Sequence, residues 1–121
     1  MEIKLSKNSK GIFLLKLSGD LDLCGSNQLK EFVMKMIKTR IERFIISLND
    51  IKSINSAGIG ALINIYSTLR KLNSTLVILV PQGPVLEALE MSRIRSYFTI
   101  AHSLKEALVI TGRNSGKKSS G

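Results

Sequence analysis

Ser56 is the side chain whose surroundings most readily admit chemistry. It lies in the run Asn55-Ser56-Ala57-Gly58-Ile59-Gly60, after the apolar stretch Phe44-Ile45-Ile46-Ser47-Leu48 and a polar turn around Asn49-Asp50, and just before the long helical pattern that starts at Ala61. A serine placed where a helix begins can serve as its N-cap, with the hydroxyl oxygen accepting from the backbone N–H of Gly58 or Ile59. It can also accept a group. A phosphate would bring roughly −1.5 to −2 charges to a helix N-terminus, where the dipole favours negative charge by about 0.3–1 kcal/mol. Ala57, Gly58 and Gly60 are a poor choice for helix stability alone, because glycine costs about 1 kcal/mol relative to alanine inside a helix. Small residues here leave the hydroxyl and the first backbone N–H groups open to another molecule.

Other chemistries find no support. A hydrolytic Ser56 would need a base, the single histidine, His102, is distant in sequence, and the run is not a G-x-S-x-G elbow. His102 has no cysteine or histidine at metal-ligand spacing. Cys24 follows Leu23 with no base nearby and reads as a small packed thiol. Asp20 and Asp22 point to opposite sides of an extended chain, which is weak for paired acid–base work. The tail from Gly112 superficially resembles a phosphate loop, but its glycine spacing is one residue short and no helix can follow it. No catalytic residue, metal site or cofactor is expected, and the chain reads as a non-enzyme.

The elements that must hold Ser56 follow from periodicity. Glu2 to Ser6 and Gly11 to Ser18 read as strands around the turn Lys7-Asn8-Ser9-Lys10. Leu29, Phe32, Val33, Met36 and Ile37 have the spacing of an amphipathic helix, with Ser26 or Asn27 as its cap. Arg43 to Leu48 is a buried-strand pattern, and Ile59, Leu62, Ile63, Tyr66 and Leu69 mark a second helix. Leu76 to Val80 is a third buried strand, Pro84 opens a helix, and Tyr97 to Ile100 is a brief strand. Ser103-Leu104-Lys105-Glu106 is a capping box for a final helix to about Ile110. The order ββαβαβαβα, with no internal repeat, predicts an α/β fold. Its single mixed, mostly parallel sheet would have about five strands with about four helices. Residues 1–111 form that domain, and a Gly/Ser/Lys-rich basic tail, 112–121, is expected to be disordered.

The chain has 18 Lys and Arg against 9 Asp and Glu, a formal net charge of +9. Arg113, Lys117 and Lys118 in the tail supply part of this, and Lys30, Lys35, Lys38, Arg40 and Arg43 face only Glu31 and Glu42 in another stretch. Such a balance suits nucleic acid, an anionic membrane, an acidic partner, or simply a solvated helix face. Two tyrosines, four phenylalanines and no tryptophan supply few stacking platforms, so no direct nucleic-acid partner is expected. No run approaches a membrane span, the first residues lack an apolar leader core, and one cysteine suits a reducing compartment, so a cytoplasmic location is expected.

At two stretches the chain resembles a known family. NSAGIG is similar to the Asp-Ser-Ser/Thr-Gly-Leu-Gly motif that follows a buried strand in the STAS domains of bacterial anti-sigma factor antagonists. Gly19-Asp20-Leu21-Asp22 is similar to the Gly-Glu-Leu-Asp turn that ends their second strand. The similarity runs from about Glu2 to Ile110. Two residues depart from the motif: Asn55 stands where the family has aspartate, and Ala57 where it has a second hydroxyl. The resemblance implies a protein-binding switch. It would bind an anti-sigma factor serine/threonine kinase of the histidine-kinase-like ATPase type, be turned off by phosphorylation of Ser56 and be reset by a phosphatase. Asp20, Asp22, Asn55, Ser56, Ala57, Gly58, Ile59 and Gly60 would form the partner-binding surface. The alternative it implies is a STAS accessory subunit of a membrane lipid transporter or a signalling scaffold.

Overall fold

A computed structural model describes the chain apart from residues 93, 94 and 121 and the side chains of 95 and 113–120. The elements run β1 (Glu2–Lys7), β2 (Ile12–Leu21), α1 (Leu23–Ile37), β3 (Arg43–Ile54), α2 (Ser56–Lys71), β4 (Thr75–Leu79), α3 (Pro84–Met91), a 3-10 turn (Arg95–Tyr97), β5 (Ile100–Ala101) and α4 (Leu104–Ser120). The five strands form one sheet in the order β1-β2-β3-β4-β5. β1 pairs antiparallel with β2, and the remaining neighbours are parallel. This is the mixed, mostly parallel α/β architecture that the element order predicts.

Strict alternation in β3 and β4 explains why their apolar runs are continuous. Phe44, Ile46 and Leu48 of β3 and Leu76 and Ile78 of β4 face one core, shared with Leu29 and Val33 of α1, Leu62 and Ile65 of α2, and Leu86 and Leu89 of α3. Ile45, Val77 and Leu79 point the other way, against Ala107 and Leu108 of α4. A strand covered on both faces has no polar face to show, so its pattern loses the period of two.

Several boundaries differ from the sequence expectation, each for a tertiary reason. β3 continues through Asn49-Asp50, where a turn was expected, because the irregular end of β2 keeps pairing with it: Ser18 lies opposite Asp50, Asp20 opposite Ser53 and Leu21 opposite Ile54. The expected strand from Tyr97 shrinks to Ile100–Ala101. Tyr97 and Phe98 instead pack their rings on Tyr66 at 5.3 and 5.4 Å, and the Tyr66 hydroxyl lies 3.1 Å from Thr99 Oγ1. Ser103 Oγ does accept from the Glu106 N–H, at 3.1 Å, while the Glu106 carboxylate reaches one residue further back, to the His102 N–H at 2.7 Å. α4 extends to Ser120, beyond Ile110 where its apolar pattern ends. The side chains of the basic tail lie outside the described residues, and with them the disorder expected there.

α1 begins at Leu23, earlier than a cap at Ser26 or Asn27 would allow, and its N-cap is Asp22. Ser26 is thereby turned inward at 2% exposure, and its Oγ has no hydrogen-bond partner. An unsatisfied buried hydroxyl costs stability, and alanine is the better helix former. Ser26→Ala is therefore expected to stabilise the fold by about 1 kcal/mol, read as a higher midpoint in urea unfolding at unchanged slope.

Candidate functional site

The site forms at the carboxyl ends of β2 and β3, the edge where open parallel sheets place their functional groups. Leu21 and Ile54 are the last paired residues of the two strands, and the chain does the same thing after each. Asp22 and Asn55 are extended N-caps, and their side chains accept from Gly25 N at 2.9 Å and Gly58 N at 3.1 Å. Leu23 and Ser56 are the first helical residues, Cys24 and Ala57 the second. The segments Asp22-Leu23-Cys24-Gly25 and Asn55-Ser56-Ala57-Gly58 are thus structural equivalents set side by side. The signal was present in the sequence as Asx-x-x-Gly after each strand, but with so little else in common it did not stand out.

Glycine at the fourth position has a steric cause. A Cβ on Gly25 would lie 2.8 Å from the Asp20 carbonyl oxygen, and one on Gly58 would collide with the Leu21 carbonyl and stand 2.8 Å from Ile54 Cγ1. Both helices therefore start hard against the end of β2. The Asn55 N–H bonds the Leu21 carbonyl at 3.4 Å, joining the start of α2 to the end of β2. Gly60 is different. A Cβ there meets nothing within 4 Å, so its small size serves no packing need inside the domain.

The structure corrects the capping role considered for Ser56. Asn55 caps α2, and its own carbonyl also accepts from the Ile59 N–H at 3.0 Å. Ser56 is exposed at the first helical position, and its hydroxyl has no hydrogen-bond partner among the described residues. The N–H groups of Ser56 and Ala57 are orphans of the first turn, and that turn contains no acid.

Of the other residues expected at the surface, Asp20, Asp22, Asn55 and Gly60 are exposed, Ala57 and Ile59 half-buried, and Gly58 buried. Asp20 and Asp22 do not form a pair. Asp20 Oδ1 accepts from Ser53 Oγ at 2.8 Å, which ties the ends of β2 and β3, while Asp22 caps α1. Two further residues join this surface. Leu23, 65% exposed, is the counterpart of Ser56 on the neighbouring helix. Cys24 is exposed rather than packed, because the early start of α1 turns Gly25 and Ser26 inward in its place. His102 lies elsewhere, with Nδ1 2.9 Å from the Val80 carbonyl oxygen. Among the described residues no group of three or more His, Cys, Asp or Glu could hold a metal ion, and no helix is long and apolar enough to cross a membrane.

A model of the STAS domain family matches residues 5–107. The chain belongs to that family. Among solved structures, this STAS domain is similar to an anti-sigma factor antagonist from Mycobacterium paratuberculosis, at 15% identity over 91% of this chain and 92% of that one, with a TM-score of 0.82. It is similar to the Bacillus cell fate determinant SpoIIAA in its phosphorylated form, at 17% identity over 88% and 96% of the two chains, TM-score 0.67. It is also similar to a sulfate transporter family protein from Wolinella succinogenes, at 14% identity over 92% of each chain, TM-score 0.78. At these identities the likeness establishes the fold of the STAS domain.

Two pairs of substitutions separate the roles in this loop. Asn55→Ala is expected to cost about 1 kcal/mol through loss of the cap, while Ser56→Ala leaves stability within about 0.5 kcal/mol; urea unfolding of both compares them directly. Gly58→Ala is expected to lower stability by more than about 2 kcal/mol through overpacking, whereas Gly60→Ala raises it by about 0.5–1 kcal/mol, seen as opposite shifts in melting temperature.

Proposed function

We propose that this STAS domain is a protein-binding switch of the anti-sigma factor antagonist type. In its unmodified state the surface around Ser56 binds an anti-sigma factor that is also a serine/threonine kinase of the histidine-kinase-like ATPase type. Phosphorylation of Ser56 ends the binding, and a phosphatase restores it. The domain is itself no enzyme, needs no cofactor, and works in the cytoplasm.

One observation carries this reading: Asn55, not Ser56, caps α2, so the serine hydroxyl is exposed and unpartnered at the first residue of the helix. A cap serine would have to give up a structural hydrogen bond in order to react. Here the acceptor is free while the helix start stays intact. A phosphate at this position would be the first negative charge in the first turn of α2, a favourable place for it within the domain. Toward a partner the effect is the reverse. About two added charges, next to the exposed carboxylates Asp20 and Asp22, would meet a surface fitted to a neutral hydroxyl, where they are repelled or left unpaired. On this reading Asp20, Asp22, Asn55, Ala57, Ile59 and Gly60 are contact residues around the acceptor. Gly58 acts from beneath, by holding the loop in place.

The second reading is a STAS accessory subunit of a membrane lipid transporter or a signalling scaffold. The similarity to the sulfate transporter family protein favours it, and it gives Ser56 no obligatory role.

Incubation with the kinase-type anti-sigma factor and ATP, followed by peptide mass mapping, is expected to place phosphate on Ser56 and to leave Ser56→Ala unlabelled. Ser56→Asp should weaken the complex by about tenfold or more. Phosphate elsewhere or nowhere, or full function of Ser56→Ala alongside copurification with membrane transporter subunits, would sink the switch and favour the second reading.

A further inference from the structure

The opposite end of the sheet carries a different surface. There the turns that close α1 and α2 meet the start of β3, and Ser74 Oγ donates to the Ile41 carbonyl at 3.1 Å to hold them together. A cleft of about 440 Å³ opens beside this junction, with Lys7, Phe13, Arg40, Ile41, Glu42 and Arg43 in its lining. A second hollow of about 290 Å³ shares Arg40, Ile41 and Glu42 and leads on to Leu72.

Part of the positive charge at this end has an internal explanation. Lys38 caps the end of α1, and Arg70 and Lys71 lie in the last turn of α2, where cations answer the negative ends of the helix dipoles. Lys7 and Arg43 are not so placed, whereas Arg40 follows the end of α1 closely enough to share in that effect. Lys7 Nζ lies 5.5 Å from the centre of the Phe13 ring, and Arg43 Nη2 donates to the Lys10 carbonyl at 2.6 Å. The Arg40 guanidinium has no hydrogen-bond or ion-pair partner among the described residues. Glu42 is the one carboxylate among the lining residues.

Arg40 is also held in an unfavourable backbone conformation, with φ 58°. Glycine or asparagine usually occupies such a position after a helix, and the turn after α2 does use asparagine, Asn73 at φ 60°. At the end of α1 the same geometry carries an arginine, whose side chain lines both hollows. Local stability would be served better by glycine.

We propose that this cleft docks an acidic, partly apolar segment of a partner protein, its carboxylates held by Lys7, Arg40 and Arg43 and its apolar side chains seated against Phe13 and Ile41. Charge complementarity selects an anionic occupant, with three cations against one carboxylate. The concave shape and partly apolar lining fit an extended peptide better than a flat bilayer. The site is separate from the Ser56 surface, since the two lie at opposite ends of β3, whose 12 residues span roughly 40 Å. Occupancy should therefore not depend on the state of Ser56.

The test titrates the full chain into a fluorescein-labelled ten-residue peptide of alternating glutamate and leucine, read by anisotropy at low and near-physiological salt. Saturable binding that weakens with salt is expected, reduced about fivefold or more by Arg40→Gly. That substitution removes the guanidinium while relieving the backbone, so the melting temperature should not fall and lost binding cannot be ascribed to unfolding. Lys35→Gln, which removes a charge on the exposed face of α1, should leave binding unchanged, as should Ser56→Asp. Absence of binding at low salt would overturn the proposal, and so would equal loss with Lys35→Gln. It would likewise fail if phosphatidylserine vesicles or an oligonucleotide bound more tightly with the same dependence on Arg40, or if sedimentation showed self-association abolished by Arg40→Gly, which would make the occupant a second copy.

Discussion

The close approach of two helix starts to the end of one strand is the constraint on which the rest of the upper surface depends. The Leu21 carbonyl accepts from the Asn55 N–H, and there is no room between it and the Gly58 backbone for even a methyl group. One residue earlier in β2, the Asp20 carbonyl oxygen would stand 2.8 Å from a Cβ on Gly25. These contacts seat the starts of α1 and α2 against the end of β2, where Leu23 and Ser56 are the first helical residues and Asp20 and Asp22 are exposed. A bulkier residue at either glycine would push its helix away from the sheet and separate groups that no direct side-chain bond holds together.

That geometry changes the meaning of Asn55. In the sequence it is a departure from an acidic motif, a lost carboxylate next to Ser56. In the structure it is the cap of α2, and a neutral amide oxygen fills that role as well as a carboxylate does. What the substitution removes is charge. The first turn of α2 contains no acid, so its dipole is unanswered until a negative group arrives. A phosphate on Ser56 would supply one at low internal cost, and the domain would stay folded while its surface changed sign locally.

The two ends of the sheet also divide the electrostatics. Asp20, Asp22 and Asp50, with Lys52 among them, lie toward the carboxyl ends of β2 and β3, whereas Lys7, Lys10, Arg40 and Arg43, with Glu42, lie toward the other end. A formal charge of +9 is therefore not a uniform coat. β3, buried on both faces for its first half, is a rigid spacer between the poles, and it lets one domain present two surfaces of different chemistry.

The element order, the mixed sheet and the apolar cores were legible in the sequence, because continuous apolar runs such as Leu76 to Val80 and the spacing of Leu62, Ile63, Tyr66 and Leu69 leave few alternatives. The location of Ser56 at a helix start was legible for the same reason. Whether that serine caps the helix or stands free at its first turn was not, since Asn55 and Ser56 are both good caps and local propensity cannot choose between adjacent ones. The choice belongs to the contact between Gly58 and Leu21, residues far apart in the chain. Register likewise decided that β3 runs through Asn49-Asp50, because the end of β2 offers it partners that the turn propensity of those residues does not reveal. The equivalence of Leu23 with Ser56, and the meeting of Lys7, Arg40 and Arg43 around one cleft, are products of tertiary structure alone: each joins segments whose proximity exists only once the strands have paired.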